Sequence, residues 1–352
     1  MRIAQIATVE SPVRQNHTGS IEGLVWLLTR ELTRLGHEVT VFGTADSETD
    51  VELVGTLPGP FGTAGVPDDW YLCEWINLCR AIEQSGRFDV VHCHTHLWGM
   101  PLEPLARAPM VHTLHTWPHR LDERLWSMVP DATVTALSHC QWQKYPHLQP
   151  AAVIHHGVDS SQFTFQPHPQ DYVCYLGRFL WQKGPTVAIE AAQSLGLRLL
   201  LAGPEDNDYH EHVEPLVDGK SVEYVGWLGG AERDQFLGNA RALLYPVQYA
   251  EPFGLVLVEA MMCGTPVAAM RLGAVPEVVD EGVTGYSAAS PEDYLEVVRQ
   301  TLTLDRRRVR DHAVERFSPE RMGRQYVEVY KRVAGGRGQE SGSGVRGQAR
   351  AS

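Results

Sequence analysis

Short apolar segments alternate with amphipathic segments along almost the whole chain, and this alternation constrains the fold more than any other feature. Residues 2–7 form the first apolar segment. They are followed by apolar residues at helical spacing up to Gly36, and then by a second apolar segment at residues 38–43. A strand, a helix and a strand in this order form a right-handed parallel unit. The pattern therefore predicts an α/β fold built on parallel sheets.

The alternation falls into two blocks, separated by the polar, proline-containing residues 160–170. Further buried strands are predicted at residues 89–91, 110–114, 132–137 and 151–154 in the first block, and at residues 172–176, 197–203, 222–225, 242–246 and 266–270 in the second. Helices are predicted at residues 185–195 and 231–239, whereas residues 9–18 and 62–75 are interpreted as loops. A length of 352 residues exceeds the usual size of one domain. We therefore predict two facing Rossmann-like domains, residues 1–160 and 171–317, with an interdomain cleft.

The C-terminal end of the chain begins with a clear helix start. Ser318 is suited to the N-cap and Pro319 to the first helical position. A helix is predicted over residues 318–333. Residues 335–352 are rich in Gly, Ser, Arg and Gln and lack an apolar stripe, so we predict a disordered tail there.

Charge and cysteine content exclude several classes of function. The formal net charge of −13 disfavours nucleic acid as the main partner, because phosphate backbones are bound by basic surfaces. The six cysteines show no CxxC pair, which is typical of scattered thiols in a reducing compartment. The chain shows no signal peptide pattern and no apolar run of about 18 residues. We therefore predict a cytoplasmic location without membrane insertion.

The most informative motif runs from Glu251 to Glu259, with the sequence Glu-Pro-Phe-Gly-Leu-Val-Leu-Val-Glu. It places one carboxylate before a helix and a second on that helix. The turn from Phe253 through Gly254 to Leu255 leaves backbone N–H groups at the helix start, where an anion is favoured. The rise from Gly254 to Glu259 is about 7.5 Å. Two acids flanking an anion site suit a nucleotide-diphosphate sugar, although a buried helix with capping or solvated glutamates is an alternative interpretation.

Two basic residues follow the first strand of the second block. Arg178 and Lys183 lie in the sequence Gly-Arg-Phe-Leu-Trp-Gln-Lys-Gly, and both side chains can neutralise a phosphate. Two such cations are usually solvated surface residues. Their position at a strand end, in the same block as Glu251, instead favours a diphosphate held as a leaving group. The turn after the first strand lacks GxGxxG, and GxxxxGK[ST] is absent from the sequence, which disfavours nicotinamide, flavin and P-loop sites.

Histidines follow two predicted strands of the first block. His92, His94 and His96 alternate after one strand, and a metal site that includes Cys93 or His112 is an alternative for them. We give more weight to His115, which directly follows another strand. Its neutral imidazole could contact a sugar hydroxyl.

Taken together, these residues resemble the retaining glycosyltransferases of family four, which have the GT-B fold. The resemblance covers about residues 1–333. Its most specific parts are residues 251–259, 264–267, 177–178 and 183–184, with support from residues 35–39, 89–92, 113–116, 157–159, 202–203 and 284–286.

The resemblance implies a role for each of five side chains. Arg178 and Lys183 would bind the donor diphosphate. Glu251 would contact the transferred sugar and Glu259 the ribose. His115 is similar to the family histidine beside the reacting centre.

The resemblance also implies that the amides of Phe253, Gly254 and Leu255 bind the phosphate and the sugar. One departure lies at the first helix start, where this chain has Gly19 and Ser20 instead of two glycines. Both are predicted to touch the donor. The last helix would cross back onto the N-terminal domain, and neither a metal nor another cofactor would be needed.

We therefore predict a retaining hexosyltransferase that moves a sugar from a nucleotide-diphosphate sugar to a hydroxyl acceptor by front-side attack, with the leaving phosphate as base. The acceptor is a sugar, a lipid-linked group or a small molecule. Seven of the nine tryptophans precede the linker, and indole faces suit such acceptors. A nucleotide-sugar epimerase, a non-catalytic nucleotide-sugar-binding subunit and a histidine-based metalloenzyme are the competing interpretations. The sugar, the base and the oligomeric state are left open.

Overall fold

The computed structural model describes residues 1–15, 20–118, 120–143, 145 and 149–340. The chain divides into two compact units. The N-terminal unit comprises Met1–Leu137, Lys144–Ile154 and Met322–Ser352, and the C-terminal unit comprises Ser138–Gln143 and His155–Arg321. Each unit contains one parallel sheet with helices, so the prediction of two Rossmann-like α/β domains is confirmed.

The N-terminal unit is built on a seven-stranded parallel sheet with the order β3-β2-β1-β4-β5-β6-β7. Its strands are β1 (Arg2–Ile6), β2 (Glu38–Thr44), β3 (Glu52–Leu57), β4 (Val90–Cys93), β5 (Met110–Leu114), β6 (Thr133–Ala136) and β7 (Ala152–Val153). Strands β4 and β5 are buried along their full length, because helices cover both faces of a parallel sheet. The edge strand β3 was not predicted.

Three helices follow strands of this sheet. They are α1 (Ser20–Arg34), α2 (Trp70–Glu83) and α3 (Arg120–Met128). The interpretation of residues 62–75 as a loop was wrong, since α2 begins at Trp70. Its N-cap is Asp69, whose carboxylate accepts a hydrogen bond of 2.9 Å from the amide of Leu72.

The C-terminal unit is built on a six-stranded parallel sheet with the order β10-β9-β8-β11-β12-β13. Its strands are β8 (Val173–Leu176), β9 (Leu199–Ala202), β10 (Val222–Tyr224), β11 (Leu243–Tyr245), β12 (Val267–Met270) and β13 (Gly285–Ala288). Its helices are α4 (Pro185–Ser194), α5 (Asn207–His212), α6 (Gly230–Asn239), α7 (Leu255–Met262), α8 (Val275–Val278), α9 (Tyr294–Thr301) and α10 (Arg306–Arg316). A buried cluster that includes Val173, Leu201 and Leu244 packs between the sheet and its helices.

The last helix, α11 (Pro319–Glu340), begins as predicted, with the Ser318 hydroxyl accepting from the amide of Arg321 at 3.3 Å. From Met322 onward the chain packs within the N-terminal unit. The helix continues past the predicted end at residue 333 to Glu340, although three of the added residues are glycines, and no proline interrupts it. The rest of the predicted tail, residues 341–352, lies outside the described residues.

Two segments differ in their packing from the predicted domain boundaries. The N-terminal unit ends its second stretch at Ile154 and not at residue 160. The short segment Ser138–Gln143 packs in the C-terminal unit. There the carboxylate of Glu277 accepts the amides of His139 at 2.8 Å and of Cys140 at 2.9 Å. None of the described helices is long and apolar enough to span a bilayer.

Candidate functional site

The turn before α7 is held in place by one glycine and one buried aromatic ring. Gly254 adopts a left-handed backbone conformation with φ of 85°. A β-carbon there would lie 3.1 Å from the Tyr245 hydroxyl oxygen, so other residues are disfavoured. The ring of Phe253 is buried and packs edge-on against His156 and Phe317. The turn is therefore rigid, with its backbone amides at the start of the helix.

The first amides of α7 lie where the sequence predicts an anion site. The opening N–H groups of any helix lack an acceptor within the helix. For Gly254, Leu255 and Val256, no backbone acceptor is present in the described part of the chain. The residue before the turn is also fixed, because the Ser138 hydroxyl donates to the Pro252 carbonyl at 2.7 Å. Unpaired amides at a helix start favour a bound anion.

Glu251 is buried, with 8% of its surface exposed, and its carboxylate is fully engaged. It forms an ion pair with Lys183 and accepts hydrogen bonds from the hydroxyls of Tyr245 and Tyr249, the latter at 2.7 Å. Burial, and then the neighbouring Glu251 carboxylate, raise the pKa of both tyrosines, so both remain hydrogen-bond donors. The structure thus brings Lys183 and Glu251 together, as a site for a charged ligand requires.

The backbone of Glu251 is as constrained as its side chain. A β-carbon at Gly273 would lie 2.4 Å from both the backbone nitrogen and the carbonyl oxygen of Glu251. The amide of Ala274 donates to that carbonyl at 2.9 Å. Only glycine allows this close approach of two chain segments. No sequence motif indicates the role of Gly273, because its contact with Glu251 joins segments that are separate in sequence.

Arg178 lies exposed after β8 and near Tyr249, whose pKa its positive charge lowers against the stronger effect of burial. The Tyr175 hydroxyl donates to the Arg178 carbonyl at 2.8 Å and fixes the backbone there. No ion pair to the Arg178 guanidinium is present among the residues that the structure describes. An exposed guanidinium with this electrostatic effect on Tyr249 is suited to neutralise an incoming phosphate.

Glu259 lies one helix turn further along α7, and its partner was not predicted. The carboxylate forms an ion pair with Arg233 on α6. The two residues are 26 positions apart in sequence, and no spacing rule connects them. The Arg233 Nε atom is buried and has no partner among the described residues. The pair therefore leaves one hydrogen-bond donor beside Glu259 unused.

The predicted histidines lie in the N-terminal unit. His115 follows β5 with 8% of its surface exposed, and its Nε2 atom lies 3.0 Å from Nδ1 of the buried His94. His92 is buried on β4 and its Nε2 atom contacts the Thr113 hydroxyl at 2.7 Å. Within the described ranges, no group of three or more His, Cys, Asp or Glu residues could hold a metal ion. The arrangement of these histidines gives the metal alternative no support.

The two remaining donor-site predictions fall at the start of α1. Gly19 lies outside the described residues, and Ser20 is the first residue of α1. The predicted roles of both residues stay predictions.

Two family models match the chain in succession. The model described as Glycosyltransferase Family 4 matches residues 21–162, and the model described as Glycosyl transferases group 1 matches residues 159–316. The chain is also similar to a D-inositol 3-phosphate glycosyltransferase of Mycolicibacterium smegmatis. The two are 31% identical over 343 residues, which cover 81% of this chain and 79% of that protein.

Solved structures resemble the chain over nearly its whole length. AviGT4, a glycosyltransferase involved in avilamycin A biosynthesis, has a TM-score of 0.75 at 24% identity and covers 95% of this chain and 98% of its own. Anabaena Alr3699/HepE, in complex with UDP and glucose, has a TM-score of 0.71 at 19% identity. The match covers 94% of this chain and 100% of that chain. The neighbours are GT-B glycosyltransferases, which confirms the predicted fold class. Sequence similarity and fold agree that the chain is a glycosyltransferase and belongs to glycosyltransferase family 4.

Proposed function

We propose that the protein transfers a sugar from a nucleotide-diphosphate sugar to a hydroxyl acceptor, with retention of the anomeric configuration and without a metal ion. The observation that carries this proposal is the cluster at the start of α7. A buried carboxylate, Glu251, is paired with Lys183 beside the unpaired amides of Gly254 and Leu255. An anion site with a fixed acid at its edge suits a diphosphate that is attached to a sugar.

The charges in the cluster explain how it accepts a donor. Without ligand, Lys183 neutralises Glu251. A diphosphate carries more negative charge than one carboxylate and competes for the same ammonium group. Arg178 is exposed and its charge acts on Tyr249, so it is proposed to join Lys183 at the phosphates. In the loaded site Lys183 and Arg178 bind the phosphates, while the two tyrosines keep the Glu251 carboxylate in place.

The proposed reaction balances without a further co-reactant. The acceptor oxygen forms a bond to the anomeric carbon as the bond from that carbon to the phosphate oxygen breaks. The electron pair of the broken bond stays on the β-phosphate, which takes the acceptor proton on the same face of the sugar. Lys183, Arg178 and the α7 amides stabilise the charge that develops on the phosphate. This stabilisation replaces the role that a divalent metal has in other transferases.

The remaining residues bind the ends of the donor. Glu259 is proposed to accept hydrogen bonds from the ribose hydroxyls, which would replace its ion pair with Arg233. His115 is proposed to contact a hydroxyl of the transferred sugar. UDP and glucose are bound by the structural neighbour Alr3699/HepE, so a uridine-diphosphate hexose is the first donor to test.

The acceptor is proposed to be a polyol or a sugar. The relative from Mycolicibacterium smegmatis is a D-inositol 3-phosphate glycosyltransferase by name, which makes D-inositol 3-phosphate the first acceptor to test. A panel of inositols, inositol phosphates, free sugars and lipid-linked sugars covers the predicted acceptor classes.

The deciding experiment combines donor binding with product analysis. Thermal unfolding is measured across a panel of nucleotide-diphosphate sugars, where a ligand at a hundredfold excess over its Kd adds about 2.7 kcal/mol of stability. The stabilising donor is then incubated with each acceptor, with and without EDTA. Retention predicts that the NMR spectrum of the product shows the anomeric configuration of the donor at equal rates in both conditions. An inverted product, or loss of activity with EDTA that added metal restores, contradicts the proposal.

The same assay separates the competing functions. An epimerase would convert the donor without an acceptor, and a binding subunit would leave it intact with every acceptor. Membership of a glycosyltransferase family disfavours the first alternative. The ion pair between Lys183 and the buried Glu251 supports neither of these competing functions, because a protein that only binds the donor needs no buried acid next to the diphosphate.

A further inference from the structure

A continuous chain of hydrogen bonds between buried side chains crosses the N-terminal unit and ends at His115. We call it the buried chain. Its members are all buried and have neutral forms at physiological pH. They are, in order, Thr135, Thr113, His92, Tyr330, Gln5, His94 and His115. Five elements of the unit contribute to it, namely β1, β4, β5, β6 and α11, and none of its members except His115 belongs to the proposed reaction.

The direction of the first link is fixed by a backbone group. The Thr135 hydroxyl donates to the carbonyl oxygen of His112 at 3.4 Å, and a carbonyl can only accept. Thr135 has one proton, so its contact of 2.7 Å with Thr113 must be donated by Thr113. The Thr113 proton is then used as well. Its contact of 2.7 Å with Nε2 of His92 is therefore donated by the imidazole.

The direction passes from His92 to the amide of Gln5. Burial lowers the pKa of His92 well below its usual value, so the ring is neutral and has a single proton. With that proton on Nε2, the Nδ1 atom accepts from the Tyr330 hydroxyl at 2.7 Å. The Tyr330 oxygen in turn accepts from Nε2 of Gln5 at 3.2 Å. The Gln5 carbonyl oxygen is left as an acceptor.

The last two links set the proton of His115. Oε1 of Gln5 lies 2.7 Å from Nε2 of His94, so the imidazole is the donor. A neutral imidazole has one proton, and the contact with Gln5 places the proton of His94 on Nε2. Its Nδ1 atom is then an acceptor for Nε2 of His115 at 3.0 Å. In this way the donor of each hydrogen bond determines the donor of the next one.

We propose that the buried chain fixes neutral His115 in the tautomer with its proton on Nε2, and that Gln5, His94 and Tyr330 are positioning residues for sugar transfer. In this tautomer Nδ1 is a hydrogen-bond acceptor. A ligand hydroxyl at this nitrogen would be the donor. The tautomer follows from the hydrogen bonds of the buried chain between neutral imidazoles, whereas its effect on transfer rests on the role of His115 in the proposed function.

Tyr330 and Tyr326 provide a matched pair of variants. Both are buried tyrosines on α11 with stacked rings, 6.1 Å between centroids. Tyr326 contacts the Thr113 hydroxyl at 3.0 Å and is not a link between Thr113 and His115. Tyr330→Phe breaks the buried chain, whereas Tyr326→Phe leaves every link toward His115 intact. Both remove one buried hydroxyl, so loss of stability is comparable.

The tautomer is measured directly by long-range ¹H–¹⁵N NMR on the full-length protein with ¹⁵N-labelled histidine. The signals of His115 are identified by their absence in His115→Asn. We expect protonated Nε2 and unprotonated Nδ1 in the wild type and in Tyr326→Phe, and a mixture of tautomers in Tyr330→Phe. Protonated Nδ1 in the wild type, or an unchanged spectrum in Tyr330→Phe, overturns the proposal.

A second pair of variants keeps the test decisive if Tyr330→Phe does not fold. Thr135→Val has nearly the same volume and removes the hydroxyl that sets the direction of the buried chain. Thr133→Val makes the same change on the same strand, outside the buried chain. A mixture of tautomers is expected in the first variant and not in the second. Identical His115 spectra in both variants contradict the inference.

Kinetics separate the tautomer from the proposed function. Tyr330→Phe is expected to lower kcat about tenfold with little change in the donor Kd, the size of one lost hydrogen bond. Tyr326→Phe is expected to keep kcat within about twofold. A changed tautomer with unchanged kcat supports the buried chain and removes His115 from the proposed reaction. An unchanged tautomer overturns the buried chain and leaves the donor site around Glu251 unaffected.

Discussion

The candidate functional side chains of the two units are held in different ways. In the N-terminal unit, neutral buried groups hold His115 through the chain that starts at Thr135, and Glu74 is buried as well. In the C-terminal unit, Glu251 and Glu259 are held by the charged partners Lys183 and Arg233. A neutral hydrogen-bond chain holds one geometry, whereas an ion pair near the surface can exchange its partner for a ligand. The first kind of packing suits a fixed side chain and the second suits a site that loads and releases a charged substrate.

The most severe test of this contrast is Glu251→Gln. The change keeps the shape of the side chain and an acceptor for the tyrosine hydroxyls, but it removes the charge that Lys183 neutralises. We expect kcat to fall about 100-fold or more, as for other lost electrostatic contacts at a reacting centre. The donor Kd is expected to change less than about threefold. Steady-state kinetics and calorimetry measure both values, and Glu190→Gln on the exposed face of α4 is the control. Equal, small effects on both quantities contradict the assigned role.

A smaller effect is expected for Glu259→Gln. Glu259 is proposed to bind the ribose, so its loss weakens binding of the donor and of the transition state alike. The donor Kd is expected to rise about tenfold while kcat stays close to that of the wild type. Glu232→Gln, an exposed change of the same type on α6, is the control. A fall in kcat with an unchanged Kd would show that Glu259 acts on the reaction step.

The contrast between the units also predicts that Glu74 and Glu277 change the stability of the folded protein with pH in opposite directions. Glu74 is fully buried and accepts the amide of Val9 at 2.9 Å. Burial raises its pKa to about 8. Between about pH 4.5 and about pH 8, the Glu74 carboxyl keeps its proton in the folded protein but loses it in the unfolded chain. The stability of the folded protein therefore falls as pH rises through this range. Glu74→Gln is expected to remove this dependence and to raise Tm by a few degrees at pH 8. Thermal unfolding from pH 5 to pH 9 measures the pH dependence of Tm, with Glu83→Gln as the exposed control on the same helix. If Tm changes with pH in the same way in Glu74→Gln and in the wild type, the prediction is refuted.

The smallest effect is expected for Glu277→Gln in the C-terminal unit. Burial acts to raise the pKa of Glu277, but His155 and the amides of His139 and Cys140 outweigh it and lower the pKa below its usual value. The stabilisation is present above about pH 4.5 and is lost as pH falls through the lowered pKa. The variant is expected to lose about 1 kcal/mol at pH 7 and to approach the wild type in acid. Urea unfolding at several pH values tests this against the exposed control Glu292→Gln. A constant difference down to pH 3 would show that the charge of Glu277 is not involved.

The sequence predicted the strands of both sheets more successfully than the helices. Strands β4, β5 and β12 are short apolar runs because both of their faces are covered. Helix α2 was missed for a physical reason. Its outer face carries exposed Tyr71 and Trp75, so apolar residues on both faces obscure the helical period.

The candidate site could be predicted where its chemistry is local and not where it depends on distant partners. Residues 251–259 contain the turn, the helix start and both acids in one stretch. The partners Arg233 and Tyr249 and the close approach of Gly273 arise from packing between separate elements. The direction of the buried chain depends on a single carbonyl, that of His112, which no sequence pattern identifies.

The contact between Gln5 and Tyr330 joins residues 325 positions apart, and it has a consequence for biosynthesis. Residue 5 is therefore synthesised well before its partner. The polar interior of the N-terminal unit is completed only after the residues of the C-terminal unit have been made. The C-terminal unit, contained almost entirely between residues 155 and 321, has all its partners earlier. Nascent chains that stop before α11 are thus expected to expose an unfinished first unit to chaperones and proteases.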